Sequence, residues 1–293
     1  MISVIIPAYN AEKTIKQCIE SVLDNDYNDF EVIVVDDKSK DNTKNIIKTF
    51  NNKRLKLSMN KINSGASFSR NQGIKISNGE IILLLDSDSY VPKDWIKKHA
   101  ELHKKINTDI IGGGVIGIHN TLIGKADGFC NWFTSVPYTK DYYLKKLHLP
   151  TNNLSIKKEV FEKIGYFNEH LRIGGEDAEF CFRSLRKNLK IYFKSDLIIY
   201  HYDRNDLKGF IKHQENWGKH AVDMRRQQKM DYSYLMPMSY TISLIYILPL
   251  SILYTIFIII KWIKYKPSVI LCLPIIFFGK LKQSIAITNS FKK

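Results

Sequence analysis

The sequence is poor in cysteine and has no cysteine pattern typical of metal binding or disulfides. Its four cysteines are Cys18, Cys130, Cys181 and Cys272, with no CxxC pair and no His/Cys spacing suited to zinc. We therefore expect buried thiols in a reducing compartment, and neither a zinc site nor a disulfide framework. A basic leader before a long apolar run is also missing at the start, so the chain is expected to begin in the cytoplasm.

Glycine is missing where common nucleotide cofactors require it. The residues after the first apolar run, Pro7–Thr14, contain no glycine, whereas a dinucleotide site has GxGxxG there. A GxxxxGK[ST] phosphate loop occurs nowhere in the chain. These absences argue against an NAD enzyme and a P-loop NTPase. A nucleotidyltransferase would need a basic, glycine-rich loop at the same place, and it stays only as an alternative.

Acidic residues are absent from the last part of the chain. The last one is Asp231, and seven lysines follow it in a chain whose formal net charge is +15. Nucleic acid, anionic lipid and phosphorylated substrates are the partners that such a charge favours. Because the lysines alternate with apolar segments and match no nucleic-acid-binding module, we expect a membrane partner and no nucleic acid. A general lysine bias of the source proteome is the alternative.

Residues 231–293 are predicted to be a membrane-associating segment with apolar helices at 240–260 and about 267–287. The first is uncharged and long enough to cross a bilayer, although Pro249 should kink it. The uncharged part of the second ends at Gly279 and is too short to cross alone unless the helix extends through Lys280 and beyond. A spanning hairpin, one span with an interfacial segment, and a monotopic dip remain open, with a span slightly favoured over a surface helix. The expected location is the cytoplasmic face of the cell membrane.

The remaining chain alternates short apolar runs with polar, helix-like stretches, which predicts an α/β fold with a doubly wound, Rossmann-like, mostly parallel mixed sheet. Asn10 is expected to cap the first helix. Residues 119–150 show little periodicity and are predicted to be a loop. The next predicted features are a helix after Gly174-Gly175, strands at Lys190–Phe193 and Leu197–Tyr200, and a helix at Leu207–Gln228.

Polar residues directly follow three of the apolar strands, and parallel strands present such residues at one edge of a sheet. Asp86 and Asp88 follow the strand Glu80–Leu85 and repel each other unless a cation lies between them. Mg²⁺ or Mn²⁺ held by such carboxylates usually completes its shell with phosphate oxygens. An acidic turn without a metal is the alternative. Asp37 is predicted to recognise a nucleotide base, with Asp36 orienting it.

Other polar residues predict further parts of the same site. Arg70 could pair with a diphosphate or with Asp88, or be an ordinary surface arginine. Glu176 and Asp177 open a helix, where a carboxylate can act as general base or simply offset the helix dipole. His201 ends a strand and could bind the metal or be structural.

Taken together, these stretches resemble glycosyltransferase family 2, the inverting enzymes of GT-A fold, over about residues 1–220. The resemblance rests on ordered motifs: Val4–Asn10, Val34–Ser39, Ser69–Gly73, Asp86-Ser87-Asp88, Phe161–Glu169 and Gly175–Glu179. It implies inverting transfer from a nucleotide-sugar, with Mn²⁺ or Mg²⁺ on the leaving diphosphate. The roles it implies are nucleotide contacts for Pro7, Tyr9, Asp36, Asp37, Arg70 and Asp86; metal binding for Asp88, Asp86 and His201; and a catalytic base at Asp177, with Glu176 orienting acceptor or donor.

The predicted organisation is a catalytic domain at 1–230, with a nucleotide-sugar half at 1–105 and an acceptor half at 106–230, followed by the membrane segment 231–293. A UDP-sugar is the favoured donor. The membrane segment favours a lipid-linked or cell-envelope glycan as acceptor. A catalytically inactive membrane scaffold of the same fold is a further alternative, and loss of a motif acid would support it.

Overall fold

The computed structural model describes residues 1–172, 174–228 and 239–292, with side chains described outside residues 223–228. The chain forms two compact units. The first comprises Met1–Ile116, Pro137–Arg172 and Glu176–His201, and the second comprises Gly117–Val136, Ile173–Gly175 and Tyr202–Lys293. The first unit carries most of the sheet, and the second is mainly helical. The predicted division at residue 230 stays a prediction.

The strands are β1 (Ile2–Ala8), β2 (Phe30–Asp36), β3 (Leu55–Met59), β4 (Ile81–Leu84), β5 (Ser89–Tyr90), β6 (Ile110–Ile118), β7 (Tyr142–Tyr143), β8 (Leu154–Lys157) and β9 (Ile191–Tyr202). In the described residues they form one sheet in the order β3-β2-β1-β4-β8-β6-β9-β5, with β7 paired to β9. The half β3-β2-β1-β4 is parallel, and β8 joins it antiparallel. The predicted mixed α/β sheet is confirmed.

The helices are α1 (Ile15–Leu23), α2 (Thr43–Lys48), α3 (Ala66–Lys75), α4 (Trp95–Lys105), α5 (Leu122–Asn131), α6 (Glu159–Ile164), α7 (Glu176–Arg186), α8 (Leu207–Gln228), α9 (Tyr240–Ile263) and α10 (Leu273–Asn289). Every residue of β1 and β2 is buried, because helices cover the parallel half of the sheet. Helix α3 packs on β1 through Gly73, where an added Cβ would lie 2.5 Å from Ile5 Cγ2. This close packing positions the residues next to Gly73 along the sheet edge.

Some local predictions are wrong. Residues 119–150 contain α5, whose Thr121 Oγ1 accepts a hydrogen bond from Gly124 N at 3.0 Å. Small and polar residues occupy its buried positions, so the helix has no clear apolar periodicity. The two strands predicted between Lys190 and Tyr200 are one strand, β9. The second apolar helix, in contrast, is present where it is predicted: it starts as a 3-10 helix, Pro267–Cys272, and continues as α10 past Gly279.

The second unit has α10 packed against both α8 and α9, and α5 packed against α10. Helices α9 and Pro267–Asn289 are both long and apolar enough to cross a membrane, with mean hydropathies of 2.4 and 1.6 over their most apolar stretches. That measure rests on length and composition alone, and core helices can also meet it.

A buried polar network lies beneath the antiparallel half of the sheet in the first unit. Asn153 Oδ1 accepts from Trp95 Nε1 at 2.9 Å, and its amide nitrogen donates to the carbonyls of Gly114 and Leu197 at 3.0 and 2.8 Å. His99 and His103 both lie 2.8 Å from Ser155 Oγ. Burial lowers the pKa of His99 to about 3 and that of His103 to about 4, so this network is built from neutral histidines.

The folded protein is expected to lose stability as the pH falls from the ordinary histidine pKa of 6.5 towards 4. In that range the unfolded chain binds protons at His99 and His103 that the folded chain does not, so the free energy of unfolding decreases by up to about 1.4 kcal/mol per pH unit for each histidine. Urea unfolding at several pH values measures this slope. His103→Gln should reduce this pH slope by up to about 1.4 kcal/mol per pH unit, the contribution of one proton. The exposed control His170→Gln should leave the slope unchanged. Equal slopes in His103→Gln and wild type would contradict the assignment.

Candidate active site

The ends of β1, β2 and β4 bring the predicted nucleotide residues to one sheet edge. Ala8 pairs with Asp36 in the parallel register, and Leu85 N donates to Ile5 O at 3.2 Å just before Asp86. Pro7 is buried within β1, whereas the Tyr9 side chain beyond it is exposed. The edge therefore presents the exposed Tyr9 ring and the partly exposed Asp86 carboxylate, whereas Asp36 and Asp37 are each 3% exposed.

Arg70 connects two predicted parts of the site. Its Nη2 lies 2.7 Å from Asp86 Oδ1, and its Nη1 lies 2.7 Å from Glu176 Oε1. The side chain is only 4% exposed, so the surface-arginine alternative is wrong. The carboxylate that it contacts is Asp86 and not Asp88. A fixed guanidinium thus binds two carboxylates that lie 90 residues apart in the sequence.

The electrostatics of this cluster follow from burial. Burial alone would lower the pKa of Arg70, but the charges of Asp86 and Glu176 outweigh it and the pKa is raised. Burial raises the pKa of Glu176, and the charge of Arg70 opposes that rise. Glu176 is therefore held in place by an ion pair, which suits an orienting residue better than a mobile proton acceptor.

Asn71, the neighbour of Arg70 in α3, fastens the segment that precedes the Gly174-Gly175 turn. Its amide nitrogen donates to Phe167 O at 2.8 Å, and its Oδ1 accepts from Phe167 N at 3.0 Å. Both bonds are buried. The sequence predicted no role for Asn71, and this contact explains why an amide side chain stands there.

Asp88 and His201 are brought together by an antiparallel pair of strands. Ser89 in β5 pairs with His201 in β9, and His201 Nε2 lies 3.3 Å from Asp88 Oδ1. His201 is buried, whereas Asp88 is 42% exposed. A carboxylate and an imidazole at this separation can share one divalent cation.

The side chains at this position could supply only part of the coordination shell of a metal, and substrate oxygens would have to complete it. Within the part of the chain that the structure describes, no group of three or more His, Cys, Asp or Glu side chains is arranged to hold a metal. Asp88 and His201 together supply one oxygen and one nitrogen, and Asp86 is engaged by Arg70. Mg²⁺ and Mn²⁺ commonly take their remaining ligands from water and substrate phosphates, so these residues fit a metal–diphosphate better than a metal held by protein alone.

Glu176 and Asp177 open α7 directly after two glycines with positive φ, Gly174 at 133° and Gly175 at 87°. Asp177 Oδ2 lies 3.7 Å from His148 Nε2, and the two side chains are 22% and 31% exposed. Asp177 is thus more accessible than Glu176. His148 lies within residues 119–150, which the sequence predicts to be a loop, and no sequence pattern indicates a role for it.

The Asp37 side chain organises the turn before α3. Its Oδ1 accepts from Asn60 Nδ2 at 2.7 Å and from Ser64 N at 2.9 Å, and its Oδ2 accepts from Gly65 N at 2.7 Å. Gly65 has a φ of 93°, which favours glycine at that turn. A carboxylate has about four acceptor sites, so Oδ2 retains capacity for a ligand.

Asp36 and Asn10 complete this edge. Asp36 is buried, and among the described residues its carboxylate accepts long hydrogen bonds from Ser39 N, at 3.3 and 3.4 Å. Asn10 does not cap α1, which starts at Ile15. Asn10 Oδ1 accepts from Lys40 N at 2.8 Å, and Asn10 N donates to Ser39 Oγ at 3.0 Å. These bonds connect the loop after β1 to the loop after β2.

Comparison with known proteins gives consistent matches. The profile of Glycosyl transferase family 2 matches residues 3–165. Glycosyltransferase AglE of Haloferax volcanii is 30% identical over 67% of this chain and 65% of its own length, so the chain spans just under two thirds of that relative. The dolichyl N-acetyl-alpha-D-glucosaminyl phosphate 3-beta-D-2,3-diacetamido-2,3-dideoxy-beta-D-glucuronosyltransferase of Methanococcus voltae is 25% identical over 94% of this chain and 92% of its own length.

A solved structure shares the fold. The mannosyltransferase PcManGT from Pyrobaculum calidifontis, in complex with GDP-Man and Mn²⁺, superposes with a TM-score of 0.64 at 15% identity, over 98% of this chain and 86% of that one. At this identity the likeness concerns the fold, and it confirms the predicted GT-A architecture.

Arg70→Met is expected to lower the free energy of unfolding by about 3–5 kcal/mol, because it leaves a buried carboxylate without its cation. Urea unfolding measures the loss. Adding Glu176→Gln to Arg70→Met should recover part of it by removing the unpaired charge, and Lys53→Met at an exposed position is the control. If the double variant is no more stable than Arg70→Met, the loss comes from packing and not from the ion pairs.

Proposed function

The chain belongs to glycosyl transferase family 2, and we propose that it transfers a sugar from a nucleoside-diphosphate donor, with a UDP-sugar favoured, to a hydroxyl of a lipid-linked or cell-envelope glycan, inverting the anomeric carbon. The observation on which this proposal rests is the two ion pairs of Arg70, at 2.7 Å to Asp86 and 2.7 Å to Glu176. This cation joins the carboxylate after β4 to the helix that bears Asp177. Arg70 therefore links the proposed binding sites for the sugar donor and the sugar acceptor.

The donor end of the site is proposed to consist of Pro7, Tyr9, Asp36 and Asp37. The free acceptor capacity of Asp37 Oδ2 and the weakly engaged Asp36 carboxylate suit the imide N–H of a pyrimidine or ribose hydroxyls. This supports a UDP-sugar. Asp88 and His201, with Asp86 beside them, would hold Mn²⁺ or Mg²⁺. When bound, that ion supplies Lewis-acid stabilisation of the charge on the departing diphosphate.

The acceptor chemistry is assigned to Asp177. Its carboxylate takes the proton of the acceptor hydroxyl, and the oxygen attacks the anomeric carbon as the bond from that carbon to the diphosphate oxygen breaks. Asp177 suits this role because it is partly exposed, whereas Glu176 is fixed by Arg70 and orients the helix start. Attack opposite the leaving group inverts the anomeric configuration.

The acceptor class is supported by location and by a relative. The Methanococcus voltae relative, similar along nearly the whole chain, is named for a dolichyl phosphate-linked acceptor. A membrane-associated second unit at the cytoplasmic face would bring a lipid-linked acceptor and a cytoplasmic nucleotide-sugar to the same place.

Asp177→Asn is expected to lower kcat by about 10²–10⁴-fold with donor binding retained, because only the proton acceptor is removed. Asp88→Asn should lower metal-dependent nucleotide release by at least about 100-fold. Release is measured with UDP-, GDP- and dTDP-sugars, with and without EDTA, and proton NMR of the product reports its anomeric configuration. The exposed Asp24→Asn is the matched control. Wild-type turnover in Asp88→Asn or Asp177→Asn, or retention of configuration, would refute the proposed mechanism.

His148 is proposed as a positioning residue that acts through Asp177, because it lies 3.7 Å from the carboxylate of Asp177. His148→Ala should lower kcat about 10-fold while the KM for the donor stays unchanged, since the donor residues are elsewhere. His148→Asn should restore part of kcat by returning a hydrogen-bond donor. A parallel loss of donor affinity or of thermal stability would instead show a structural role for His148.

A further inference from the structure

The two C-terminal helices form an antiparallel hairpin that contacts the rest of its unit on one side. Ser251 Oγ donates to Ser284 Oγ at 3.0 Å, and Thr288 Oγ1 donates to Ser243 O at 3.3 Å. Small hydroxyl residues thus bring α9 and α10 close together. We call the segment Tyr240–Asn289 the hairpin.

The side of α10 that faces away from α9 is covered by α8. An added Cβ at Gly218 of α8 would lie 2.3 Å from Gln283 O, and one at Gly279 of α10 would lie 2.4 Å from Phe210 Cζ. Glycines therefore allow the two helices to pack at short distance. Helix α5 covers the hairpin further along, where Trp262 Nε1 donates to Phe129 O at 3.0 Å.

A buried lysine shows that this packing is specific. Lys280, only 2% exposed, donates to Gln214 Oε1 at 2.8 Å and to Gln283 Oε1 at 2.9 Å. Its ammonium group also lies 5.1 Å from the centre of the Trp217 ring. Two of these three side chains, Gln214 and Trp217, come from α8, so this buried charge of the second apolar helix is satisfied by protein and not by lipid headgroups.

This arrangement is incompatible with α10 crossing a bilayer. Helix α8 lies along α10 and carries exposed Lys208, Lys212 and Lys219. A crossing would carry these lysines into hydrocarbon, at a cost of at least about 2.5–3.5 kcal/mol for each one near the centre. Of the most apolar stretch of Pro267–Asn289, 44% is already buried by protein, compared with 28% for α9.

The opposite side of the hairpin is an exposed apolar surface. The most exposed members of this apolar face are Ile245 at 73%, Leu271 at 68%, Ile260 at 64% and Leu253 at 58%. The buried residues of α9 lie on the other side of the helix, for example Leu250, which contacts Val222 and Ile287. Exposed apolar side chains grouped along α9 and the 3-10 helix after it are typical of a membrane or protein contact.

The charge around this apolar face identifies the partner. Lys261, Lys264 and Lys292 are exposed beside it, and no acidic residue follows Asp231. An apolar surface with exposed lysines on the same hairpin is complementary to anionic lipid headgroups over acyl chains. We infer that the hairpin lies in one leaflet of an anionic membrane with its apolar face in the hydrocarbon. The turn at Lys264–Lys266 then stays on the side of the membrane to which the protein binds.

This inference rests on the membrane association proposed above and specifies its geometry. It is tested with the full chain and with phosphatidylcholine vesicles with or without about 30% phosphatidylglycerol, chosen to vary the anionic headgroup charge. The wild type should co-sediment with the anionic vesicles. Leu253→Glu/Ile260→Glu should reduce the bound fraction at least ten-fold, whereas Ile62→Glu, which changes an exposed isoleucine of the other unit, should not. Equal binding of the charged double variant, or equal binding to both vesicle types, would overturn the proposal.

The depth of insertion is tested with Lys264→Cys, since the native cysteines are buried. After addition of the protein to preformed vesicles, a membrane-impermeant maleimide should label Lys264→Cys fully without detergent, against a wild-type background. Labelling that requires detergent would show a spanning hairpin and overturn the in-plane geometry. Both assays omit the sugar donor. A loss of nucleotide release with normal vesicle binding would therefore count against the proposed transferase function alone.

Discussion

The architecture of the candidate site depends on one buried cation. The Arg70 guanidinium binds Asp86 after β4 and Glu176 at the start of α7, each at 2.7 Å. Removing one member of such a buried group leaves an uncompensated charge, so the three side chains hold their positions as a unit. Asp88 lies two residues beyond Asp86, and Asp177 directly follows Glu176. Asp88, a proposed metal ligand, and Asp177, the proposed proton acceptor, are thus each one or two peptide units from this ion pair.

The parallel half of the sheet was predictable because its strands are buried on both faces and read as continuous Val, Ile and Leu runs. The sheet edge followed from the same argument, since polar residues after parallel strands must meet. Helix α5 was not predictable, because glycines and buried polar residues such as Asp127 erase the apolar period that marks a helix. Its position is decided by packing within its own unit.

The site residues also fall into those that the sequence could predict and those that it could not. Asp86, Asp88 and His201 could be proposed from their places at strand ends, and the structure puts the last two 3.3 Å apart. The partners of Arg70 could not be deduced, because they depend on how distant segments pack. His148 lacked any signal, since a single histidine in an aperiodic stretch has no pattern. Asn10 looked like a helix cap in sequence, yet it joins two loops, because its backbone adopts a positive φ of 51°.

The contact between Lys280 and Gln214 has a consequence for how the chain is divided. Helix α10 covers a surface of α8 and supplies Lys280, which Gln214 and Trp217 contact, so it is not a separable appendage of its unit. Deleting these helices would leave α8 with an uncovered apolar face and an empty polar pocket. The C-terminal helices are thus part of a folding unit, and a stable soluble protein requires redesign of their exposed apolar face with the helices retained.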